Sequence, residues 1–212
     1  VVESKGIYSI ENFLVARRLM YWQVYLHKTS VAYENMLVSA LLRAKELASK
    51  GVELFASPAL KFFLYNDINR ERFKSDPKCL ENFILLDDND IWTALKVWCN
   101  HNDIILATLS QGMVNREIFK VEVSPTPCTE ERLNAISERI AKQLHISKED
   151  TRYFISTPSI EKNMYNPADD SIDILYNDGS TTNIAEASDM LHLSVLSKKV
   201  KKYYICYLRE KK

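Results

Sequence analysis

The chain has 212 residues, of which 46% are hydrophobic and 26% charged, with only four Gly and six Pro; this excludes a linker-rich or disordered chain. Its 28 basic and 28 acidic side chains cancel, and no apolar run approaches the roughly 18 residues needed to span a bilayer. Cys79, Cys99, Cys128 and Cys206 are widely spaced with no C-x-x-C, which excludes a zinc ribbon or a disulfide framework; reduced thiols and a cytoplasmic location are expected, with Cys99 and Cys206 as small core residues.

Tyr8 to Ala48 is the longest run without Gly or Pro, and it predicts a long helix capped by Ser9 and stopped at Lys50-Gly51. Thr29-Ser30 is a possible bend or split. Ile10, Phe13, Leu14, Met20 and Val24 form the apolar period of its first part; Val31, Met36, Leu37, Leu41, Ala44 and Ala48 form that of its second. Arg17, Tyr21, Tyr25 and Lys28 are spaced by four, four and three, which on one helix places them inside a wedge of roughly 80°. A guanidinium grips phosphate oxygens in pairs, an ammonium adds a point charge, and a phenol packs under a sugar or base. That face suits a nucleotide; the alternative is a core helix with half-buried Tyr and snorkelling cations.

Ser57-Pro58 opens a short helix, Ala59 to Tyr65, and Asp76-Pro77 another, Lys78 to Leu85. Asp87-Asp88-Asn89-Asp90 caps a third, Ile91 to Cys99; it lacks the Gly and the distal Glu of a calcium loop. Asn102 or Asp103 caps Ile104 to Met113, and Ile118 to Val123 alternates as a strand. Ser124-Pro125-Thr126-Pro127 is the clearest punctuation and divides the chain into a helical region, 1–123, and an α+β subdomain, 124–212. In the latter a helix runs from Thr129 with a Leu133, Ile136, Ile140 and Leu144 stripe. Strands follow at Arg152 to Ser156 and Ser171 to Tyr176, then a helix at Ile184 to Leu196 and a strand at Lys202 to Leu208. The expected fold is mostly α with a small α+β C-terminal part, its helices on a mostly antiparallel sheet that Ile118 to Val123 joins. His145, at a helix end, and His192, in an apolar run, read as structural. A basic end, Lys198 to Lys212, follows an acidic stretch, Glu149 to Asp189, but no nucleic-acid module accompanies it, so nucleic acid is not an expected partner.

The segment ARRLMYWQVYLHKTSVAYENMLVSALLRA resembles the helix that follows the catalytic core in HD-domain phosphohydrolases, the group that includes the deoxynucleoside triphosphate triphosphohydrolases. The matching residues are Arg17 and, eight positions on, Tyr25, Leu26, His27 and Lys28; LDDNDIW at Leu86 to Trp92 and NREIFKVEV at Asn115 to Val123 extend the likeness over about residues 8 to 123. The chain departs from the family in having no His-Asp dipeptide, since its four His precede Lys28, Asn102, Ile146 and Leu193. The resemblance therefore implies the C-terminal half of such an enzyme, starting at Val1 with no initiator Met, and with the core and its divalent metal (Mn, Mg, Fe or similar) upstream. It implies that Arg17 contacts substrate phosphate, Tyr25 the sugar, Lys28 a phosphate of substrate or effector, and that His27 orients the site; Tyr21 joins them by helix geometry. Leu26 stands where some relatives carry a polar residue, leaving sugar and base selectivity open. No catalytic or metal residue is expected in this chain, which alone should be inactive. The partners implied are a nucleotide substrate or effector and further copies in a homo-oligomer; the alternative is a non-catalytic nucleotide-sensing or oligomerisation module.

Overall fold

The computed structural model describes residues 1–162, 171–188 and 200–210. Most helices begin where a short polar side chain meets the free amides of a first turn. Ser57 accepts from the Leu60 amide at the start of α3 (Pro58–Tyr65). Asn69 and Asp76 do the same for α4 (Arg70–Ser75) and α5 (Pro77–Leu85), the latter with Pro at its first position. Asp87 and Asp90 form a reciprocal capping box on α6 (Asp88–Trp98), so the acidic cluster is a helix start. Asp103 caps α7 (Ile104–Val114) and Thr129 caps α8 (Glu130–Leu144).

The expected long helix is two. A short strand, β1 (Val2–Glu3), and a 3-10 turn feed α1 (Ile7–Met20) without a side-chain cap, so Ser9 lies inside the helix. Gly6 is needed there because a Cβ would meet Val2 Cγ1 at 2.8 Å. A π-helical turn, Tyr21–Tyr25, follows, and α2 (Lys28–Ser49) starts afresh; the break falls at Leu26-His27, just before Thr29-Ser30.

The chain divides into two compact units. The first comprises Val1–Val31, Val123–Pro127 and Pro158–Tyr204. In it β1 pairs in parallel with β5 (Asp173–Leu175), Val2 opposite Ile174, and β5 pairs antiparallel with β6 (Thr181–Asn183), Ile174 opposite Thr182. Gly179, at φ 84°, makes the turn between them. Leu14, Ile174 and Ile184 form the buried centre, with Val2, Ile7 and Ile10 packed around it. Of the expected stripe Ile10 and Leu14 face this core, whereas Phe13, Met20 and Val24 are exposed and Glu11 is buried on the inner face of α1. One Glu11 carboxylate oxygen accepts from the Ser188 hydroxyl, and the other has no hydrogen-bond partner among the described residues.

The second unit comprises Ala32–Glu122, Cys128–Thr157 and Ile205–Lys212. Its core is the α2 stripe of Ala32, Met36, Ala40 and Ala44 with Leu95, Trp98, Leu106, Leu109, Ile140 and Phe154, all buried. The Trp98 indole N–H donates to the Phe55 carbonyl at 3.0 Å, so the polar edge of the largest core ring is satisfied. The strand expected at Arg152 to Ser156 is mainly a 3-10 turn, Glu149–Tyr153, with only β3 (Ile155–Ser156) extended. Tyr153 and Thr151 are held by a side-chain network that favours the turn.

The last strand, β7 (Val200–Tyr207), starts in the first unit, where it pairs antiparallel with β4 (Ser159–Lys162). It ends in the second, where it lies between β2 (Lys120–Ser124) and β3. The strands therefore make two sheets rather than one layer. A short helix, α9 (Ile184–Ala187), covers the start of the one expected at Ile184 to Leu196; the remainder of that span and His192 lie outside the described residues. The architecture is mostly α with a small, largely antiparallel β component weighted to the C-terminal part. Among the described residues no helix is long and apolar enough to cross a membrane.

Candidate functional site

Arg17, Tyr21 and Tyr25 come together on the outer face of α1 and the π turn. The Arg17 guanidinium lies 5.8 Å from the centre of the Tyr21 ring, and the Tyr21 and Tyr25 rings lie 5.4 Å apart, tilted by 54°. The three line an open groove of about 440 Å³ with Phe13, Ala16 and Met20. The groove is thus lined by apolar side chains, two phenols and a guanidinium. It is the kind of surface that takes a flat or ring-shaped group carrying negative charge.

The π turn supplies this geometry. The Leu26 amide donates to the Tyr21 carbonyl at 2.8 Å, a bond spanning five residues rather than four, and such widened turns recur at functional sites. The turn is braced inside its own unit. The Ser30 hydroxyl donates to the Val24 carbonyl at 3.0 Å and the Tyr204 hydroxyl to the Leu26 carbonyl at 3.2 Å. Lys202 Nζ sits 4.0 Å from the Trp22 ring centre. Residues 202 and 204 lie two apart on β7 and so address the turn from one strand face.

His27 and Lys28 do not line the groove. The chain turns at Leu26-His27, so the angular argument that put Lys28 on the Arg17 face ends one residue before it; both side chains are exposed. The His27 Nδ1 accepts from the Thr29 amide at 3.2 Å, which in the neutral ring places the proton on Nε2, the nitrogen left free to donate.

Two further constellations lie in the second unit. Arg43 donates to both oxygens of Asp103, at 3.1 and 2.6 Å, and its guanidinium lies 3.3 Å from Glu46 and 5.4 Å from the centre of the Tyr153 ring. Arg152 stacks on the same ring at 5.0 Å. Hydrogen bonds from Lys50 and the Tyr153 hydroxyl, then the charge of Arg43, hold the Glu46 carboxyl down to about 2. Burial pushes Asp103 up, but its bonds from Arg43 and the Leu106 amide win and leave it below the ordinary range. This is a part-buried ion-pair network joining α2, the start of α7 and the turn at Glu149–Tyr153, with Lys50 and Arg152 on its solvent side.

The other is a cavity of about 630 Å³ bordered by Met36, Gln111, Arg116, Phe119, Gln143 and Arg209. Arg116 adopts the left-handed conformation at φ 60°, unusual for a side chain of its size. The Arg209 guanidinium donates to the Ile118 carbonyl at 2.9 Å, and Gln143 donates to the Arg209 carbonyl at 3.1 Å. Arg116 falls in the NREIFKVEV motif, whereas Gln143 and Arg209 carry no local signal and are brought there by α8 and the segment after β7. Cys206 is fully buried, and Cys99 is only half buried. Among the described residues no three His, Cys, Asp or Glu side chains converge as metal ligands.

Residues 1–56 match the family model described as an HD associated region, and that span contains the whole groove. Over 126 residues, 59% of the chain, it is 29% identical to an uncharacterized protein of Bacillus subtilis, YwfO, and covers 27% of it. A crystal structure of a phosphohydrolase from Bacteroides thetaiotaomicron is 73% identical, with a TM-score of 0.93 over 99% of this chain and 52% of the other. A hypothetical protein from Aquifex aeolicus shares the fold at 20% identity, with a TM-score of 0.56, over 98% of this chain and 44% of the other. The chain thus spans about half the length of the phosphohydrolase it matches, and about a quarter of the curated relative.

Proposed function

We propose that this chain is the C-terminal, substrate-side part of an HD-type phosphohydrolase of the cytoplasm, acting on nucleoside or deoxynucleoside triphosphates. The observation that carries the reading is the Arg17, Tyr21 and Tyr25 ladder over an open groove, inside the span that matches an HD-associated region. The likeness to a phosphohydrolase over nearly the whole chain supports it. Arg17 holds phosphate, Tyr25 packs on the sugar, and Tyr21 keeps the guanidinium and the second ring in line. His27, through Nε2–H, and Lys28 follow at the turn and meet phosphate of substrate or of an effector. No chemical step is assigned to this chain; a divalent metal, Mn, Mg or Fe, held by residues of the HD core would supply an activated water for attack on phosphorus.

The test is triphosphate or phosphate release from a panel of nucleotides by the full-length protein with Mn or Mg. Removing a guanidinium that meets transition-state charge costs on the order of a hundredfold, and Arg17→Ala should do so, with Tyr25→Ala raising KM more than it lowers kcat. Turnover unchanged by Arg17→Ala would refute the assignment of the site.

A second reading is favoured by the cavity at Arg116 and Arg209: a non-catalytic nucleotide-sensing module, whose homo-oligomer responds to the ligand. It calls for nucleotide binding that survives Arg17→Ala and fails in Arg116→Ala, without turnover.

A further inference from the structure

Tyr25 is the member of the groove ladder that stands at the end of the π turn, and it is 55% exposed. With more than half of the side chain in water, packing alone does not fix the ring, and its place 5.4 Å from Tyr21 depends on the backbone that carries it. That backbone has an ordinary alternative. Closing the turn to the commoner α form would move the Leu26 amide from the Tyr21 carbonyl to the Trp22 carbonyl and swing Tyr25 about the helix axis.

Two hydroxyls oppose the change. Ser30 donates to the Val24 carbonyl at 3.0 Å and Tyr204 to the Leu26 carbonyl at 3.2 Å, so the peptide units on either side of Tyr25 each meet a side-chain donor. The donors differ in kind. Ser30 is exposed near the start of α2. Tyr204 is 3% exposed and belongs to a fixed strand: its amide donates to the Pro158 carbonyl at 2.9 Å, and its neighbour Tyr203 stands opposite Ser159 in the β4–β7 ladder. A phenol with a buried ring needs a partner for its hydroxyl, and here that partner is the carbonyl at the end of the turn.

We infer that the Tyr204 and Ser30 hydroxyls are positioning groups for the groove: they hold the turn wide and so keep Tyr25 in line with Tyr21 and Arg17. Neither residue lines the groove, so both act through Tyr25. This role presupposes the nucleotide reading of the groove.

The test is fluorine NMR of the full-length protein labelled with 5-fluorotryptophan, read beside nucleotide kinetics. Trp22, assigned by Trp22→Phe, lies in the turn, and Trp92 and Trp98 on α6 report the second unit. Tyr204→Phe and Ser30→Ala should each move the Trp22 signal with those of Trp92 and Trp98 unchanged, and Ser30→Thr, which keeps a hydroxyl, should leave it in place. Tyr204→Phe should raise KM about fivefold, the worth of one ordinary hydrogen bond, and change kcat less. In a Tyr25→Ala background it should add nothing, whereas a general structural loss would repeat there in full. A Trp22 signal indifferent to both variants overturns the inference, and so does a KM effect of Tyr204→Phe undiminished by Tyr25→Ala. If Tyr204→Phe does not fold, Ser30→Ala and Ser30→Thr decide, because Ser30 is exposed and supports no core. A protein inactive on every nucleotide refutes the nucleotide reading alone, and the fluorine signals still decide whether the two hydroxyls hold the turn.

Discussion

Arg43 concentrates more of the second unit's electrostatics than any residue the motifs single out. Its side chain is 11% accessible and that of Asp103 15%, so the pair sits where an uncompensated charge is costly. Removing one partner of a buried pair typically costs about 3 kcal/mol. Arg43→Ala should lose that much in urea unfolding, and Asp103→Ala at least as much, because it also strips the cap from α7. Asp103→Asn, which keeps a capping oxygen, should lose less than Asp103→Ala. Glu46 gives the same network a pH signature. Its carboxyl is lowered from 4.5 to about 2 in the fold, so its contribution is complete above pH 4.5 and is lost as pH falls toward 2. The melting temperature should decline through that window, and Glu46→Gln should flatten the decline while lowering the plateau. A pH profile identical in the two proteins would show that Glu46 is not held by Lys50 and Tyr153.

At the scale of elements, capping chemistry is legible in the sequence and chain breaks are not. Asp76-Pro77, Asp87, Asp103 and Thr129 each announce a helix by a side chain acting within three residues, and each is found doing so. α4 escapes such a reading because Asn69 announces only six residues, too few for a period to show. The π turn escapes it because its cause is remote: Tyr204 and Lys202 bind it from β7, about 180 residues later. Two glycines separate the two ways an element constrains its sequence. Gly51 ends α2 at φ 81° with open space for 4 Å around the place a Cβ would take, so Gly51→Ala should cost about 1 kcal/mol through backbone strain alone. Gly112 is helical, but a Cβ there would lie 2.8 Å from Met36 Cε and 3.2 Å from the Glu117 carbonyl oxygen. Gly112→Ala should cost about 1–3 kcal/mol through crowding, and Met36→Ala in the same background should recover part of that loss relative to Met36→Ala alone.

For the whole molecule, the chain's order and its compact units do not coincide. Each unit is assembled from three stretches, and α2 and β7 both begin in one and end in the other. Local sequence reports what a residue does to its neighbours along the chain, so it indicates a helical majority with a small sheet but not which distant stretches share a core. Ile174 shows why: it is fully buried against Leu14, about 160 positions earlier in the sequence, as well as against the nearer Ile184. Local opening free energy follows buried apolar packing, and among the described residues that packing is sparser in the first unit than in the second. Hydrogen exchange should therefore run faster in α1 and in the β5 and β6 hairpin than in α6 and α7, whose Leu95, Trp98, Leu106 and Leu109 belong to a larger cluster. Ile174→Ala should cost about 2–5 kcal/mol in its own unit and be read first as lost protection at the amides of α1, β5 and β6. Equal protection across both cores in the native protein would contradict this ordering, and protection in α1 unmoved by Ile174→Ala would show that the helix is held by something other than the Leu14, Ile174 and Ile184 centre.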